Sequence, residues 1–387
     1  MIAYNRTGLD NRVVGEQAAE ALAKDCITPE EYTQIGTGYP VSFYTPNGYI
    51  RIGLFLLTVV IAAFSLGLLG LMSISGSHGF GGLLIFFGLV SYGVLEYMVA
   101  GKKHFRSGVD DALLWMSVGL LYAGLELSIE HMTVTAEFVV VFSLAFYGVL
   151  RFADGVLTLV AYGALLGIIF NMGMGSEETG GIVMFFILMG CSVGVYWLCI
   201  ALYLKRGCRH YRPCLMILRA ACLVGFYAAG NYFVVREMGS YRWDPAAQPG
   251  GSVPLGWLFW ILTVGTPLFY VYRGVRKKDV VFLWVGLALI AAAVFTIRQY
   301  YHVLPAELAM VMGGILLIGG VYVAINYLRT PRHGLTYAEI NDKHFIQNLH
   351  IESLVIAETF AAPAAPAADG HSFGGGSGGG GGAGGEF

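Results

Sequence analysis

Residues 50–72, IRIGLFLLTVVIAAFSLGLLGLM, contain a single charged residue, Arg51, near their start. An α-helix needs about 20 apolar residues to cross the hydrocarbon core of a bilayer, and this stretch meets that length. Inside lipid, only a helix or a closed barrel can satisfy its own backbone hydrogen bonds. The sequence therefore predicts a membrane-spanning helix here.

The same pattern recurs along the chain as far as residue 328. The 387 residues are 56% hydrophobic and only 12% charged, whereas soluble domains carry about a quarter charged residues. Such a chain has too few charged residues to cover a surface that faces water, so its surface must face lipid. The predicted fold class is all-α, a polytopic transmembrane helix bundle of about ten spans. The predicted spans are 50–72, 80–100, 111–129, 134–151, 155–172, 181–204, 214–234, 254–273, 279–297 and 304–328.

The basic residues between these spans fall mainly on alternate sides of the bundle. With the N-terminus inside, fifteen lie on the inner side and three on the outer side. This bias predicts a multi-pass protein of the bacterial cytoplasmic (inner) membrane with both termini in the cytoplasm. The net charge of −2 gives no reason to expect a nucleic-acid partner. The inner set is Arg51, Lys102, Lys103, Arg106, Arg151, Lys205, Arg206, Arg209, Arg212, Arg273, Arg276, Lys277, Lys278, Arg329 and Arg332, and the outer set is Arg236, Arg242 and Arg298.

Outside the bundle the chain divides into shorter regions. Thr28 and Glu31 flank a proline in the pattern of a capping box, which predicts the start of a second short helix after a first one. Two helices this short bury little core, so they must dock on another surface or remain marginal. The predicted regions are a cytoplasmic two-helix segment and connector at 1–48, the transmembrane bundle at 49–328, a cytoplasmic juxtamembrane segment at 329–360, and a disordered Ala/Pro- and Gly-rich tail at 361–387.

Two motifs near the N-terminus carry a resemblance. An Ile-Thr-x-Glu-Glu turn begins at Ile27, and a Tyr-Pro-x-x-Phe-Tyr-x-Pro connector runs from Tyr39 to Pro46. With the multi-span array behind them, the chain resembles an uncharacterised Bacteroidetes-type family of bacterial predicted membrane proteins. Its Gly-rich end is similar to tails on several unrelated bacterial membrane proteins. Neither resemblance implies an activity or a catalytic residue.

One polar cluster is predicted at the outer interface. Glu126 and Glu130 are four residues apart and are expected to share a helix face. His131 is adjacent, and Glu137 begins the next span. Two carboxylates and an imidazole are able to bind a divalent cation or to hold one proton between them. A solvated acidic loop is the interpretation we favour. At the other interface, Glu96 is expected to pair with Lys102 and Lys103, and Arg219 to extend its charge towards water.

Glycine pairs suggest helix packing. Gly163-x-x-x-Gly167 and Gly190-x-x-x-Gly194 are small-xxx-small patterns that let helices approach closely, and packing within the bundle is favoured over dimerisation. The tail that ends at Phe387 has three interpretations. It is a native flexible tether, a partner-recognition end carried by Phe387, or a remnant of cloning, and its irregular composition favours native sequence.

The motifs of common enzyme classes are missing from the sequence. It has no P-loop, Rossmann fingerprint or G-x-S-x-G, and the predicted spans contain no histidine to serve a serine hydrolase. We therefore expect no enzyme activity, cofactor or metal. The function predicted first is a non-enzymatic membrane scaffold or sensor that recruits cytoplasmic proteins through its N-terminal helices or C-terminal tail. The alternative is a transporter of a small, weakly charged or apolar solute, and the polar residues compatible with a path are Asn171, Asn231, Tyr122 and Tyr147.

Overall fold

A computed structural model describes residues 2–72, 77–174, 180–243 and 255–300, together with four residues between 318 and 326. The described chain is helical and contains no β-strand, so the all-α prediction is confirmed. A short 3-10 helix, Arg206–Tyr211, precedes α9. The α-helices are α1 (Arg6–Ala23), α2 (Pro29–Gly38), α3 (Gly48–Met72), α4 (Ser77–Ala100), α5 (Val109–Ser128), α6 (Val134–Phe152), α7 (Gly155–Met174), α8 (Gly180–Tyr203), α9 (Arg212–Gly230), α10 (Tyr232–Trp243), α11 (Gly256–Lys277) and α12 (Val280–Tyr300).

Eight helices of the described chain are long and apolar enough to cross a membrane. The helix α5, predicted as a span, is not among them, and it carries two aspartates in its first turn. The tenth predicted span, 304–328, lies outside the described residues except for four helical positions. The prediction of a multi-pass membrane protein is confirmed. The eight apolar segments are Gly48–Leu71, Gly79–Ala100, Val134–Phe152, Gly155–Gly173, Ile182–Tyr203, Gly207–Gly230, Gly256–Lys277 and Val280–Tyr300.

The helix α9 carries most of the span predicted over 214–234, but it ends at a break before that span does, and α10 begins there. The break falls at Asn231, whose side chain is buried. Its carboxamide oxygen accepts the N–H of Phe233 at 2.8 Å. Its nitrogen donates to the hydroxyls of Tyr227 at 2.9 Å and Thr296 at 3.1 Å. Polar contacts of this kind allow a backbone to leave its helix inside a bundle, because the freed groups find partners within the protein.

Glycines outside the two small-xxx-small patterns also allow close helix contacts. A Cβ added at Gly124 of α5 would lie 2.7 Å from the side chain of Ile85 in α4. One added at Gly88 of α4 would lie 2.9 Å from Leu121 in α5. Since real Cβ atoms avoid such distances, these glycines are what allows α4 and α5 to pack backbone to backbone.

The turn between α6 and α7 is a tight hairpin of two residues. Ala153 adopts a left-handed conformation, and the Asp154 carboxylate accepts the N–H of Leu157 at 2.8 Å at the start of α7. Three further connections lie at the same end of the bundle. This end, which we call the basic end, comprises the connections 101–108, 153–154, 204–211 and 278–279.

Candidate functional site

The first residues of the chain are anchored at the basic end through Tyr4. Its ring is 7% exposed and packs edge-on against Phe105 at 4.7 Å and Phe152 at 6.3 Å between ring centroids. Its hydroxyl donates to the carboxylate of Asp110 at 3.4 Å. We call this cluster of Tyr4, Phe105, Ser107, Asp110 and Phe152 the N-terminal junction.

Asp110 is the centre of the N-terminal junction. It lies in the first turn of α5, where the helix dipole favours a negative charge, and it is 2% exposed. Besides Tyr4, its oxygens accept the N–H of Arg106 at 2.7 Å, the N–H of Ser107 at 2.8 Å and the Ser107 hydroxyl at 3.1 Å. Arg106 has a left-handed φ of 49°, a conformation that costs a non-glycine residue on the order of 1–3 kcal/mol. The carboxylate therefore holds a strained loop in place.

The Tyr4 phenol stays protonated at this position. Burial, reinforced by the nearby charge of Asp110, raises the pKa of Tyr4 well above its usual range. A neutral phenol is a donor, and the Asp110 carboxylate is its acceptor. The Tyr4 hydroxyl therefore remains a hydrogen-bond donor throughout the neutral pH range.

Charged side chains of α1 extend this docking. The guanidinium of Arg12 lies 4.7 Å from the centroid of the Phe105 ring. Asp10 faces Arg209 at 3.7 Å and His210 at 3.5 Å. A cavity of about 170 Å³ between α1 and the bundle is lined by acidic and basic side chains, including these of Arg12, Arg209 and His210 and that of Glu16. α1 is thus seated on the bundle with a small polar cavity in the seam.

The helix α2 is built as predicted but buries no residue. The N–H of Glu31 donates to the Thr28 hydroxyl at 3.2 Å, and the N–H of Thr28 donates to the Glu31 carboxylate at 2.8 Å, which confirms the capping box. Tyr32 is 38% exposed and Tyr39, just after the helix, is 50% exposed. α2 and its end therefore present carboxylates and tyrosine rings to the surroundings.

Glu96 pairs with Arg151, so the predicted pairing with Lys102 and Lys103 is wrong. The guanidinium donates to both carboxylate oxygens, at 2.8 and 2.9 Å. The Tyr92 hydroxyl donates to the same carboxylate at 2.7 Å. Lys102 and Lys103 are nearer in sequence, but they follow the end of α4. Arg151 lies on α6 beside Glu96, and its fork matches the carboxylate in a two-bond geometry.

The predicted outer cluster lies at the end of the bundle opposite the basic end. Glu126 and Glu130 do not share a helix face, because α5 ends at Ser128 and Glu130 follows it. Glu126, Glu130 and His131 are exposed, and Glu137 is half-buried in the first turn of α6. Among the described residues, no three His, Cys, Asp or Glu side chains are arranged to hold a metal ion. A functional role for these four residues stays a prediction.

The four glycines of the small-xxx-small patterns differ in their surroundings. A Cβ at Gly167 would lie 2.6 Å from the ring of Phe138 in α6, so close packing within the bundle occurs there. A Cβ at Gly163, Gly190 or Gly194 would meet nothing within 4 Å in the described structure. The close approach expected from the pattern is therefore seen at one glycine of the four.

Neither the protein families nor the curated proteins compared with the chain give a match. Phe387 and the tail 361–387 lie outside the described residues. The eight apolar helices define the class of the protein, a multi-pass integral membrane protein in contact with the lipid bilayer.

Proposed function

We propose that the protein is a non-enzymatic membrane scaffold or sensor that recruits a soluble cytoplasmic partner through α2. One observation carries the proposal: α1 is seated on the bundle by a buried junction, whereas α2 beside it buries no residue. A fixed α1 gives α2 a defined position, and an exposed α2 leaves its acidic and aromatic side chains for another protein. Phe387 at the tail end is proposed as a second partner contact.

The proposed topology places α2 in the cytoplasm of a bacterial cell. Ten spans in the inner membrane, with both termini inside, are supported by the excess of basic residues at the basic end. Cys26 is exposed in the turn between α1 and α2. A membrane-impermeant maleimide should label Cys26 only after the membrane is opened, and a Glu130→Cys variant should react in intact spheroplasts. Labelling of Cys26 in intact spheroplasts would reverse the orientation.

The partner is tested by photocrosslinking in cells. A photoreactive phenylalanine analogue at Tyr32 of α2 should give an adduct with a soluble protein. The same analogue at Gln17, exposed on α1, is the matched control and should not give it. Replacing Thr28 and Glu31 by alanine removes the capping box and should abolish the adduct. Equal adducts from positions 32 and 17, or none from 32, would count against the scaffold.

A transporter of a small, weakly charged or apolar solute is the second candidate. The observation that favours it is the helix break at Asn231, since interrupted helices form binding points in transporters. At this break, however, Asn231, Tyr227 and Thr296 bond one another. A scaffold therefore predicts that an Asn231→Cys variant resists small water-soluble thiol reagents from both sides of the membrane. Reaction at position 231 would favour the transporter.

A further inference from the structure

Basic side chains line a second and larger cavity at the basic end. It has a volume of about 630 Å³ and lies between α8, α9 and the turn that joins α11 to α12. Four cationic side chains line it, those of Arg219, Arg273, Lys277 and Lys278, with one carboxylate, that of Asp279. Basic pockets between transmembrane helices are the sites at which proteins hold lipid phosphate groups.

The single carboxylate of this cavity already accepts one hydrogen bond at each oxygen. Arg219 donates through Nη2 to one oxygen of Asp279. The N–H of Val281, in the first turn of α12, donates to the other oxygen at 3.2 Å. Asp279 therefore compensates one cation and caps a helix, and its single negative charge leaves the four cations of the cavity in excess.

Arg219 is held in position while part of its donor capacity is unused. Its guanidinium carbon lies 5.8 Å from the ring centroid of Tyr196 and 5.7 Å from that of Phe282. Its Nε is buried and has no hydrogen-bond partner in the described structure. A buried donor without a partner is unfavourable, so the ion pair with Asp279 leaves the Arg219 guanidinium only partly satisfied.

Arg273 stands near the same aromatic ring. Its guanidinium lies 5.1 Å from the centroid of Phe282. Within the described chain, neither Arg273 nor its neighbours Lys277 and Lys278 form an ion pair with a carboxylate. The two arginines around Phe282 and the two lysines of the turn therefore offer positive charge that the described protein does not neutralise.

An apolar groove begins where the basic cavity ends. It has a volume of about 510 Å³, and Tyr196 and Arg273 line both spaces. It runs between α8 and α11 over α9, past side chains such as Trp197, Phe269 and Ile261. From Arg273 to Ile261 the helix rises about 18 Å at 1.5 Å per residue. One leaflet contributes about 15 Å of hydrocarbon, half of the bilayer core, so the groove matches the depth of an acyl chain.

Aromatic contacts join α8 to α11 towards the opposite end of the bundle, whereas side chains that line the groove nearer the basic end are exposed. Towards that opposite end the ring of Phe259 lies 5.9 Å from Phe186 and 6.5 Å from Phe185, and Phe259 is fully buried. Nearer the basic end, Trp197 is 65% exposed and Phe269 is 54% exposed in the described structure. A chain could therefore enter laterally from the lipid.

We propose that the basic cavity and the apolar groove together bind one anionic phospholipid; we call them the α8–α11 pocket. The phosphate group lies on Arg219 and Arg273, Lys277 and Lys278 add attraction, and an acyl chain occupies the groove. A free phosphate would use the cations and leave the groove empty. A zwitterionic lipid would fill the groove and carry no net charge to the cations. Of these three occupants, only an anionic lipid matches both the cations and the groove.

The charge part of the proposal is tested on the full-length protein in mild detergent. Intact complexes are weighed by native mass spectrometry during titration with dioleoylphosphatidylglycerol, and in parallel with dioleoylphosphatidylcholine, which has the same acyl chains. One molecule of the anionic lipid should bind about tenfold more tightly than the zwitterionic lipid. Arg273→Gln should remove most of that preference. Arg276→Gln is the matched control, because Arg276 lies in the same turn outside the cavity and donates to Tyr272 at 2.9 Å.

The groove is tested with glycine variants. Gly265 lines the groove, and a Cβ there meets nothing within 4 Å, so Gly265→Phe should fill it without disturbing the fold. The affinity for the anionic lipid should fall about tenfold. Gly163→Phe, at an equally open position outside the groove, should leave it unchanged. The thermal unfolding midpoint of each variant shows that folding is intact.

Four results would overturn the proposal. The first is equal affinity for the two lipids, and the second is an equal loss of the preference for the anionic lipid in Arg273→Gln and Arg276→Gln. The third is an unchanged affinity for the anionic lipid in Gly265→Phe, and the fourth is displacement of that lipid by millimolar inorganic phosphate. The last two would assign the cations to a free anion. The proposal stands apart from the proposed scaffold function, because each test reads lipid binding and not partner capture.

Discussion

Two charged clusters at the basic end are completed in different ways. At the N-terminal junction, the buried carboxylate of Asp110 has four donors, and one of them is the hydroxyl of Tyr4 from the start of the chain. In the α8–α11 pocket, the cations outnumber the one carboxylate, and the buried Nε of Arg219 has no partner among the described residues. The junction is satisfied by the chain itself, whereas the pocket requires an anion from outside.

The difference follows from burial. Asp110 is 2% exposed, so an unpaired charge there would be very unfavourable and the chain must supply partners during folding. The side chain of Arg219 is 27% exposed, so solvent or lipid headgroups can reach it. A satisfied, buried cluster acts as an anchor, and a partly exposed cluster beside a cavity can act as a binding site. This contrast predicts effects of different size and, in one case, of opposite sign.

The largest effect is expected for Asp110→Ala. The change leaves two backbone N–H groups, the Ser107 hydroxyl and the Tyr4 hydroxyl without their common acceptor. We expect the free energy of unfolding to fall by about 4 kcal/mol, since each buried unpaired group costs about 1–3 kcal/mol and some will find water. Denaturation of the full-length protein by SDS in bicelles measures it. The control Asp10→Ala removes a half-exposed carboxylate and should cost under about 1 kcal/mol. Equal losses would show that Asp110 is not an anchor.

Tyr4→Ala should release α1 from the bundle while the spans stay folded. Removal of a buried aromatic ring costs about 3–5 kcal/mol, and here that loss falls on the docking of the N-terminal segment. Trypsin added to the exposed face of oriented vesicles should cut after Arg12 at least a hundredfold faster, since 1.4 kcal/mol corresponds to about tenfold. Tyr4→Phe keeps the ring and removes one hydrogen bond, so it should raise the rate about fivefold. Equal rates in the two variants would mean that packing contributes nothing to docking.

Much of the fold was predictable because its causes are local. Apolar length identifies the eight helices that are able to cross a membrane, although it also predicted α5 as a span, and the residues around Thr28 define the capping box of α2. The break at Asn231 was missed, because its bonds to Thr296 depend on a helix 65 residues away. The polar residues in that region do not indicate a helix break by themselves, because the apolar residues around them keep the mean hydropathy of the segment high. Long-range side-chain pairing was the information that the sequence pattern lacked.

The sites were harder to predict than the helices for the same reason. Arg151 pairs with Glu96 across 55 residues, although lysines lie closer along the chain. Tyr4 gave no signal, because one tyrosine in a polar segment resembles any exposed residue until its pocket is known. The basic residues from Arg273 to Lys278 were interpreted from the sequence only as charges that orient the protein in the membrane. The adjacent groove appears when α8, α9 and α11 are assembled.

Asp279→Asn should distinguish the α8–α11 pocket from the N-terminal junction. Removing the carboxylate of the pocket should strengthen an interaction, whereas removing that of the junction should only weaken one. Asparagine keeps an acceptor for the N–H of Val281, so the capping of α12 survives. Loss of the charge frees Arg219 and makes the pocket more positive. We expect the free energy of unfolding to fall by about 1 kcal/mol in zwitterionic bicelles, and the affinity for the anionic phospholipid to rise about fivefold. Lipid titration by native mass spectrometry measures the affinity, and a weaker affinity would mean that Asp279 is part of the headgroup site.

The smallest effect is expected at the outer cluster, where charges are exposed. Glu126→Gln and Glu130→Gln should each change the free energy of unfolding by less than about 0.5 kcal/mol, because solvent screens both carboxylates. Millimolar Ca²⁺ or Mn²⁺ should leave the thermal unfolding midpoint of the wild type unchanged, since Glu130 lies beyond the end of α5 and the two carboxylates do not share a helix face. A rise in the midpoint that is lost in Glu126→Gln would restore the cation site. It would also mean that the exposure of a charged cluster does not tell whether the cluster binds an ion or is only solvated in this protein.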